Sequence, residues 1–268
     1  MIRFKREIMR LICILLLAIT VCAWNSSTID WLKQQHEKYS LNYTEADAGN
    51  ILKYTAMLDN GIRTTQDFFG APFQKKFDVF IYPARNDLDS QWRKDWNMPQ
   101  FKSECWMVAS GVAAKLDLIS PAKWEQEACE HSYSDTLNTQ RLITHELVHV
   151  YHGQTNASPD FSDVTGIDWL VEGLATYASG QLNASKLAEV RNAIAKKEIP
   201  AGLDNFWTGK LRYGLSGSVV MYIDQKFGRE KLKQLLPLTR KEQVLNSLGL
   251  TEIALINGWK EYITTLKT

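Results

Sequence analysis

The spacing of apolar residues predicts helices along most of the chain and extended strands only in its middle. Between residues 28 and 69, Ile51, Leu52 and Leu58 recur at helical intervals, so this stretch is expected to be mostly helical. The dipeptide Asn60-Gly61 falls inside the stretch and predicts a turn there.

Two stretches have the character of strands. Phe77 to Tyr82 is a short apolar and aromatic run that Pro83 ends, which predicts a buried strand. Residues 105–121 are expected to be extended, with a turn or bulge at Ser110-Gly111 and a stop at Pro121.

Helical spacing dominates from Ser134 onward, and Gly153 and Gly180 supply stops for the first two helices. The predicted helices are 136–152, 168–180, 184–197, 212–227, 229–236 and 251–266. An order of helices, a small sheet and then more helices predicts an α+β fold in which strands and helices are segregated.

The predicted organisation is one mature domain behind a short export signal. The first ten residues carry four basic side chains, and the apolar run that follows, 11–23, is too short to cross a bilayer. A basic start, a short apolar core and a small residue at Ala23 are typical of a cleaved signal peptide; an uncleaved anchor is the alternative. Residues 24–268 would form one domain, divided into a helical lead-in at 24–75, the sheet and metal helices at 76–180, and a helical part at 181–268.

The net charge limits the classes of partner, and the cysteines indicate the cellular compartment. The formal net charge of +1 offers no field for nucleic acid, and a membrane enters only through an uncleaved N-terminus. Outside the predicted signal the cysteines are Cys105 and Cys129. In an extracytoplasmic compartment (secreted, periplasmic or cell-surface) this pair predicts a disulfide worth roughly 3 kcal/mol; two buried free thiols are the alternative.

The sequence H-E-x-x-H, formed by His145, Glu146 and His149, carries the strongest chemical signal. Positions i and i+4 of a helix lie on one face, so the two imidazoles project together and can supply two zinc ligands. Glu146 is displaced around the helix, where it would act as a general base rather than as a ligand. Three of the five histidines in the chain fall within eight residues. The third of them, His152, is expected at an exposed helix end.

Catalytic zinc takes three protein ligands, so one more is required. Glu172 lies 23 residues after His149 on the helix predicted for 168–180, and the residues between include Gly and Pro that let the chain reverse. The adjacent Gly173 is expected to permit close approach beside the metal. Asp168 is the alternative third ligand.

The segment HELVH, followed by WLVEGLATY, resembles the gluzincin metallopeptidases of the Peptidase MA-like clan, in which H-E-x-x-H…E-G-x-A-x-Y is shared with the zinc aminopeptidases. The resemblance implies a zincin domain of the thermolysin-like type with one zinc ion per chain. It gives ligand roles to His145, His149 and Glu172 and the base role to Glu146. The gap between the second histidine and Glu172 is longer than is typical of the aminopeptidases.

Similar gluzincins carry, on a later helix, a side chain that donates a hydrogen bond to the oxyanion of the reaction. Tyr213 in the predicted helix 212–227 matches that position; a packing role is the alternative. Zincins commonly add their peptide to a sheet edge, and residues 106–112 are the predicted edge, with Ala109, Ser110 and Gly111 binding substrate. An ordinary internal hairpin is the alternative.

These features together predict a secreted zinc peptidase that acts on peptides or proteins. The alternative function, from another class, is a catalytically inactive zincin fold that serves as a binding or sensor module outside the cytoplasm. The presence of Glu146 favours the peptidase.

Overall fold

The computed structural model describes residues 29–266, so the signal peptide or anchor predicted for residues 1–23 lies outside the described residues. The strands are Leu32–Gln35 (β1), Tyr39–Tyr43 (β2), Phe77–Tyr82 (β3), Ala109–Val112 (β4) and Lys115–Ile119 (β5). The helices are Ile51–Phe69 (α1), Arg85–Asp95 (α2), Trp124–Glu127 (α3), Thr136–Thr155 (α4), Asp168–Ala178 (α5), Ala184–Lys196 (α6), Arg212–Phe227 (α7), Arg229–Leu235 (α8), Lys241–Leu248 (α9) and Glu252–Thr265 (α10). Between residues 29 and 266, no helix has both the length and the apolar character that crossing a bilayer requires.

The strands form one mixed sheet in the order β1-β2-β3-β5-β4. The three inner strands are parallel, and an antiparallel strand lies at each edge. Leu41, Val79 and Leu116, one from each parallel strand, are fully buried, as expected where a sheet is covered on its faces. The α+β prediction is confirmed, and so are the strand Phe77–Tyr82 and most helices of the second half.

The lead-in predicted to be helical over 24–75 contains two strands, so that prediction is wrong for β1 and β2. Every residue of β2, with the sequence YSLNY, is buried. Its polar members are satisfied by tertiary contacts: Asn42 Nδ2 donates to Val79 O (3.1 Å), and Ser40 Oγ donates to Gln35 Oε1 (3.1 Å). Polar residues that are buried in this way hide the apolar pattern that would have indicated a strand.

Two glycines that predicted breaks instead lie inside helices. α1 continues through Gly61, where a Cβ would come within 2.6 Å of Leu147 Cδ1 on α4. α4 likewise continues through Gly153, where a Cβ would come within 2.6 Å of Pro159 O. Both positions are glycine because another segment packs against them, and not because the chain turns.

The disulfide between Cys105 and Cys129 is confirmed, with its Cα atoms 5.3 Å apart. It ties the segment before β4 to the segment after α3. Arg85 reinforces the same segment, because its guanidinium donates to the backbone carbonyls of Cys105 (2.9 Å) and Met107 (2.8 Å). The approach to β4 is therefore fixed by a covalent bond and by charge-assisted hydrogen bonds.

Candidate metal centre

The helix α4 is held on several sides. Asp135 caps its first turn by accepting a hydrogen bond from the backbone N–H of Asn138 (3.1 Å). Leu147, Val148 and Val150 are fully buried where α4 packs against its neighbours, which include α1, β4 and α5. These contacts fix the orientation of α4, and one of its faces carries the two histidines of the motif to the cleft, where both are buried.

His145, His149 and Glu172 converge on one point. The two Nε2 atoms are 3.0 Å apart, and Glu172 Oε2 lies 3.3 Å from His145 Nε2 and 3.5 Å from His149 Nε2. Both imidazoles are buried, and Glu172 is partly buried. Among the described residues, these three form the one cluster of potential ligands whose atoms all approach within 4.8 Å.

The helix α5 brings Glu172 to the histidines and leaves Asp168 one turn away at an exposed position. The sequence led us to expect that Gly173 permits close approach beside the metal, but the residue faces α7 instead. A Cβ at Gly173 would lie 2.4 Å from Ser216 O. The glycine therefore lets α5 and α7 pack closely, which places the beginning of α7 beside Glu172.

Charge within the cluster is strongly coupled. Burial alone would raise the pKa of Glu172, but His149 and His145 outweigh it and hold that pKa well below its usual range. Burial alone would lower the pKa of His149, but Glu172 outweighs it and raises that pKa. Two imidazoles and one carboxylate thus stabilise a buried site for positive charge.

Glu146 is directed into the same cleft but is not a member of the cluster. Burial raises the pKa of its carboxyl group, while the neighbouring His145 and His149 oppose the increase. A carboxylate with a raised pKa accepts a proton more readily near neutral pH.

Tyr213 lies in the first turn of α7 and lines the cleft. Its ring centroid is 6.3 Å from that of His145 and 4.8 Å from that of Trp207. Burial raises the pKa of its phenol to about 12, so the hydroxyl remains protonated and able to donate at neutral pH.

The cleft has a volume of about 900 Å³ and runs along α4 from Asn138 to His149. Residues 106–112, which contain β4 and directly follow Cys105 of the disulfide, form one side, called here the sheet wall. Helices α5 and α7 form the other side, called here the helical wall. A cleft of this size accommodates a ligand of several residues.

The strand β4 lies at the edge of the sheet, and its turn to β5 is at Ala113 and Ala114 rather than at Ser110-Gly111. Gly111 is required for a different reason: a Cβ there would lie 2.2 Å from the backbone oxygen of Glu146. Because residue 111 is glycine, the edge strand β4 can lie directly against α4.

The register of β4 decides which of its backbone groups face the cleft. Ile119 N–H donates to Val108 O (2.9 Å), and the pairing of Ala109 with Leu118 puts Val108 opposite Ile119. Backbone groups alternate along an antiparallel pair, so Ser110 bonds to β5, while Ala109 and Gly111 face away from it. Of the three predicted substrate-binding residues, Ser110 therefore offers only its side chain.

His152 does not belong to the cluster, and the expectation of an exposed helix end is wrong for it. Its ring is fully buried, with Nε2 3.0 Å from Leu236 O. Burial lowers its pKa to about 3, so it is neutral and structural.

The amino-acid sequence indicated no chemical role for three residues of this region: Trp106, the first residue of the predicted edge 106–112; Trp207; and Arg212, the first residue of the predicted helix 212–227. They come from separate segments and meet only in the folded chain. No short-range spacing could have indicated that they meet, although a tryptophan at the start of a predicted substrate-binding edge is a reason to consider Trp106.

No protein-family model matches this chain, and no curated protein matches it. Solved structures do show similarity. A two-domain M1 zinc metallopeptidase bound to L-arginine has a TM-score of 0.46 and 15% identity, with 86% of this chain and 48% of that chain covered. The M1 zinc metallopeptidase from Deinococcus radiodurans has a TM-score of 0.43 and 15% identity, covering 88% and 52%. Native yeast LTA4 hydrolase has a TM-score of 0.46 and 10% identity, covering 89% and 38%. This chain spans about half the length of these structures, or less.

Proposed function

We propose that this chain is an extracytoplasmic zinc peptidase in which His145, His149 and Glu172 hold one zinc ion and Glu146 is the general base. The observation that carries the proposal is the convergence of two imidazoles and one carboxylate in a cleft that also contains Glu146. The motif resemblance to gluzincins, noted from the sequence, agrees with it.

The cluster fits zinc in both chemistry and size. Two histidine nitrogens and one glutamate oxygen are a known ligand set of catalytic zinc. Ligands at about 2.0–2.1 Å from a tetrahedral ion are roughly 3.3 Å from one another. The three separations in this chain, 3.0, 3.3 and 3.5 Å, bracket that value. Zinc bound there would polarise a substrate carbonyl and lower the pKa of water.

Glu146 would move the proton. Its carboxylate takes a proton from the attacking water as the water oxygen adds to the scissile carbonyl carbon. It then delivers that proton to the amine nitrogen as the C–N bond breaks. The raised pKa caused by burial suits both steps, because the carboxyl group must first accept and then release the proton.

Tyr213 would stabilise the oxyanion that forms on the carbonyl. Its phenol stays protonated and lies near His145 at the cleft, so the hydroxyl is available as a donor. One such donor contributes about 10²–10³ in rate.

The edge of β4 would hold the substrate backbone. Ala109 and Gly111 present backbone groups away from β5, and a peptide added there would continue the sheet. The disulfide supports the extracytoplasmic setting, because disulfides persist in oxidising compartments.

The deciding experiment compares the purified chain with Glu146→Gln. Zinc content is measured by mass spectrometry, and cleavage is measured on a mixed peptide library. We expect one zinc per chain in both proteins and at least about a hundredfold slower cleavage in the variant. Glu189→Gln, on the exposed part of α6, is the matched control and should cleave normally.

The results separate the alternatives. Stoichiometric zinc without cleavage that depends on Glu146 would favour the inactive binding or sensor module. Absence of zinc in protein refolded with the metal would refute the metal centre itself. The cleavage products would also show whether the enzyme acts within a chain or at its ends.

A further inference from the structure

The guanidinium of Arg212 lies among three aromatic rings that belong to residues lining the cleft. Its central carbon is 4.5 Å from the ring centroid of Trp106, 5.2 Å from that of Tyr213 and 5.6 Å from that of Trp207. All three distances are within the range of cation–π attraction, which is strengthened where water is excluded. The buried Nε of Arg212 has no hydrogen-bond partner among the described residues.

The rings belong to opposite sides of the cleft. Trp106 is part of the sheet wall, whereas Tyr213 begins α7 on the helical wall. Trp207 precedes α7 and packs edge-on against Tyr213, at 90° and 4.8 Å. Arg212 therefore joins the two walls, and together with Trp106 and Trp207 it forms what is called here the aromatic clamp.

The sheet-wall end of the clamp is fixed. Trp106 follows Cys105 of the disulfide directly, and its backbone oxygen is 2.9 Å from His131 Nε2. The carbonyls on both sides of it, those of Cys105 and Met107, accept hydrogen bonds from Arg85. Arg212, which stacks on Trp106, is thus held against a rigid part of the molecule.

We propose that Arg212 is a positioning residue for Tyr213. Clamped between Trp106 and Trp207, it holds the adjacent phenol ring at the angle that directs the hydroxyl into the cleft near His145. This inference rests on the proposed function, in which Tyr213 donates to the oxyanion. Arg212 acts through Tyr213, because Tyr213 lines the cleft whereas Arg212 does not. A planar guanidinium can stack on several rings at once, whereas a lysine ammonium cannot.

A double-mutant cycle tests the proposal with zinc-loaded full-length protein. Arg212→Met keeps the side-chain length but removes the charged plane, and Tyr213→Phe removes the hydroxyl. We expect Arg212→Met to lower kcat about tenfold with KM changed less than twofold, because a displaced donor loses part of its effect. When it is combined with Tyr213→Phe, Arg212→Met should change kcat less than twofold further.

Two outcomes of the cycle would overturn the proposal. One is an equal loss on adding Arg212→Met to either background, which would mean that Arg212 acts independently of Tyr213. The other is no loss in the wild-type background. Lys53→Met is the control, because it removes a cation that lies 3.8 Å from the Tyr133 ring on an exposed part of α1. It should leave kcat unchanged.

An NMR measurement that does not depend on catalysis shows whether a variant has lost activity through misfolding. It also separates the positioning role of Arg212 from the proposed peptidase function. In carbon-13 NMR spectra of protein whose tyrosine rings are labelled, the signal of Tyr213 is the one that is missing from the Tyr213→Phe variant. We expect the Tyr213 signal to move toward the free-tyrosine value in Arg212→Met, while zinc content and circular dichroism stay as in the wild type. An unmoved signal would refute positioning. A moved signal in a protein that shows no cleavage dependent on Glu146 would refute the peptidase function, and with it any catalytic purpose of the clamp.

Discussion

The helical wall and the sheet wall of the cleft are fixed by different means. On the helical wall, α5 and α7 approach closely at Gly173 and Ser216 and present the side chains of Glu172 and Tyr213. On the sheet wall, a disulfide and Arg85 hold the chain, and backbone groups of β4 face the cleft. Side-chain chemistry requires fixed rotamers on packed helices, whereas recognition of a peptide backbone requires only a free strand edge.

The difference predicts that substitutions in the two walls change different kinetic constants. Changes to the helical wall should lower metal binding or kcat. Changes to the strand edge of the sheet wall, apart from Trp106 of the aromatic clamp, should raise KM and leave kcat nearly unchanged, because they affect substrate and transition state alike. Four predictions follow this contrast from the largest expected effect to the smallest.

Removal of the third ligand on the helical wall should have the largest effect. Glu172→Ala should lose stoichiometric zinc, and kcat/KM should fall at least about a thousandfold, since the metal contributes several kcal/mol to the transition state. Asp168→Ala is the control, because Asp168 lies one turn earlier on the same helix but outside the cluster. Zinc analysis and peptide cleavage measure both. Loss of zinc in Asp168→Ala, with zinc retained in Glu172→Ala, would reverse the ligand assignment.

Removal of the disulfide should test the sheet wall. The double variant Cys105→Ala/Cys129→Ala should unfold with about 3 kcal/mol less free energy, the value expected for a loop of this length. Because the disulfide also fixes the segment that leads into β4, KM should rise more than kcat falls. Urea unfolding and steady-state kinetics measure the two effects. A fall in kcat at constant KM would show that the disulfide acts on catalysis through Trp106 of the aromatic clamp and not through substrate binding at β4.

Much of the metal centre could be predicted from the sequence, because its strongest signal is local. His145 and His149 lie one helical turn apart, so their convergence follows from helix geometry alone. Glu172 required only a second helix and a reversal between the two. The aromatic clamp could not be predicted, because Trp106 and Arg212 belong to distant segments that meet only in the folded chain.

The fold was less predictable where polar residues are buried. β2 contains Asn42, whose partner is the backbone of β3, and this contact exists only after the sheet has formed. Gly61 and Gly153 suggested breaks, although each is small because a neighbouring segment packs against it. A glycine signals a close approach as readily as a turn, and the sequence alone does not distinguish the two.

The close contact between α5 and α7 should be the next most sensitive feature. Gly173→Ala places a methyl group where Ser216 O lies only 2.4 Å away, so the helices must separate. We expect a loss of about 1–3 kcal/mol in unfolding free energy and a lower kcat, because Tyr213 moves away from Glu172. Gly49→Ala is the control, since its added Cβ meets no atom within 4 Å. Equal effects of the two substitutions would show that the helix contact is not tight.

The smallest effect should come from a single backbone group on the sheet wall. The N–H of Ala109 faces away from β5, so Ala109→Pro removes a donor for substrate without breaking the ladder. One hydrogen bond contributes about 0.5–1.5 kcal/mol, so KM should rise roughly two- to tenfold with kcat nearly unchanged. Ser110→Pro is the informative neighbour, because its N–H bonds to β5 and its loss should lower stability instead. If Ala109→Pro destabilised the protein as much as Ser110→Pro and left KM unaltered, substrate could not be using this edge, and the sheet wall would be only a support for the metal helix.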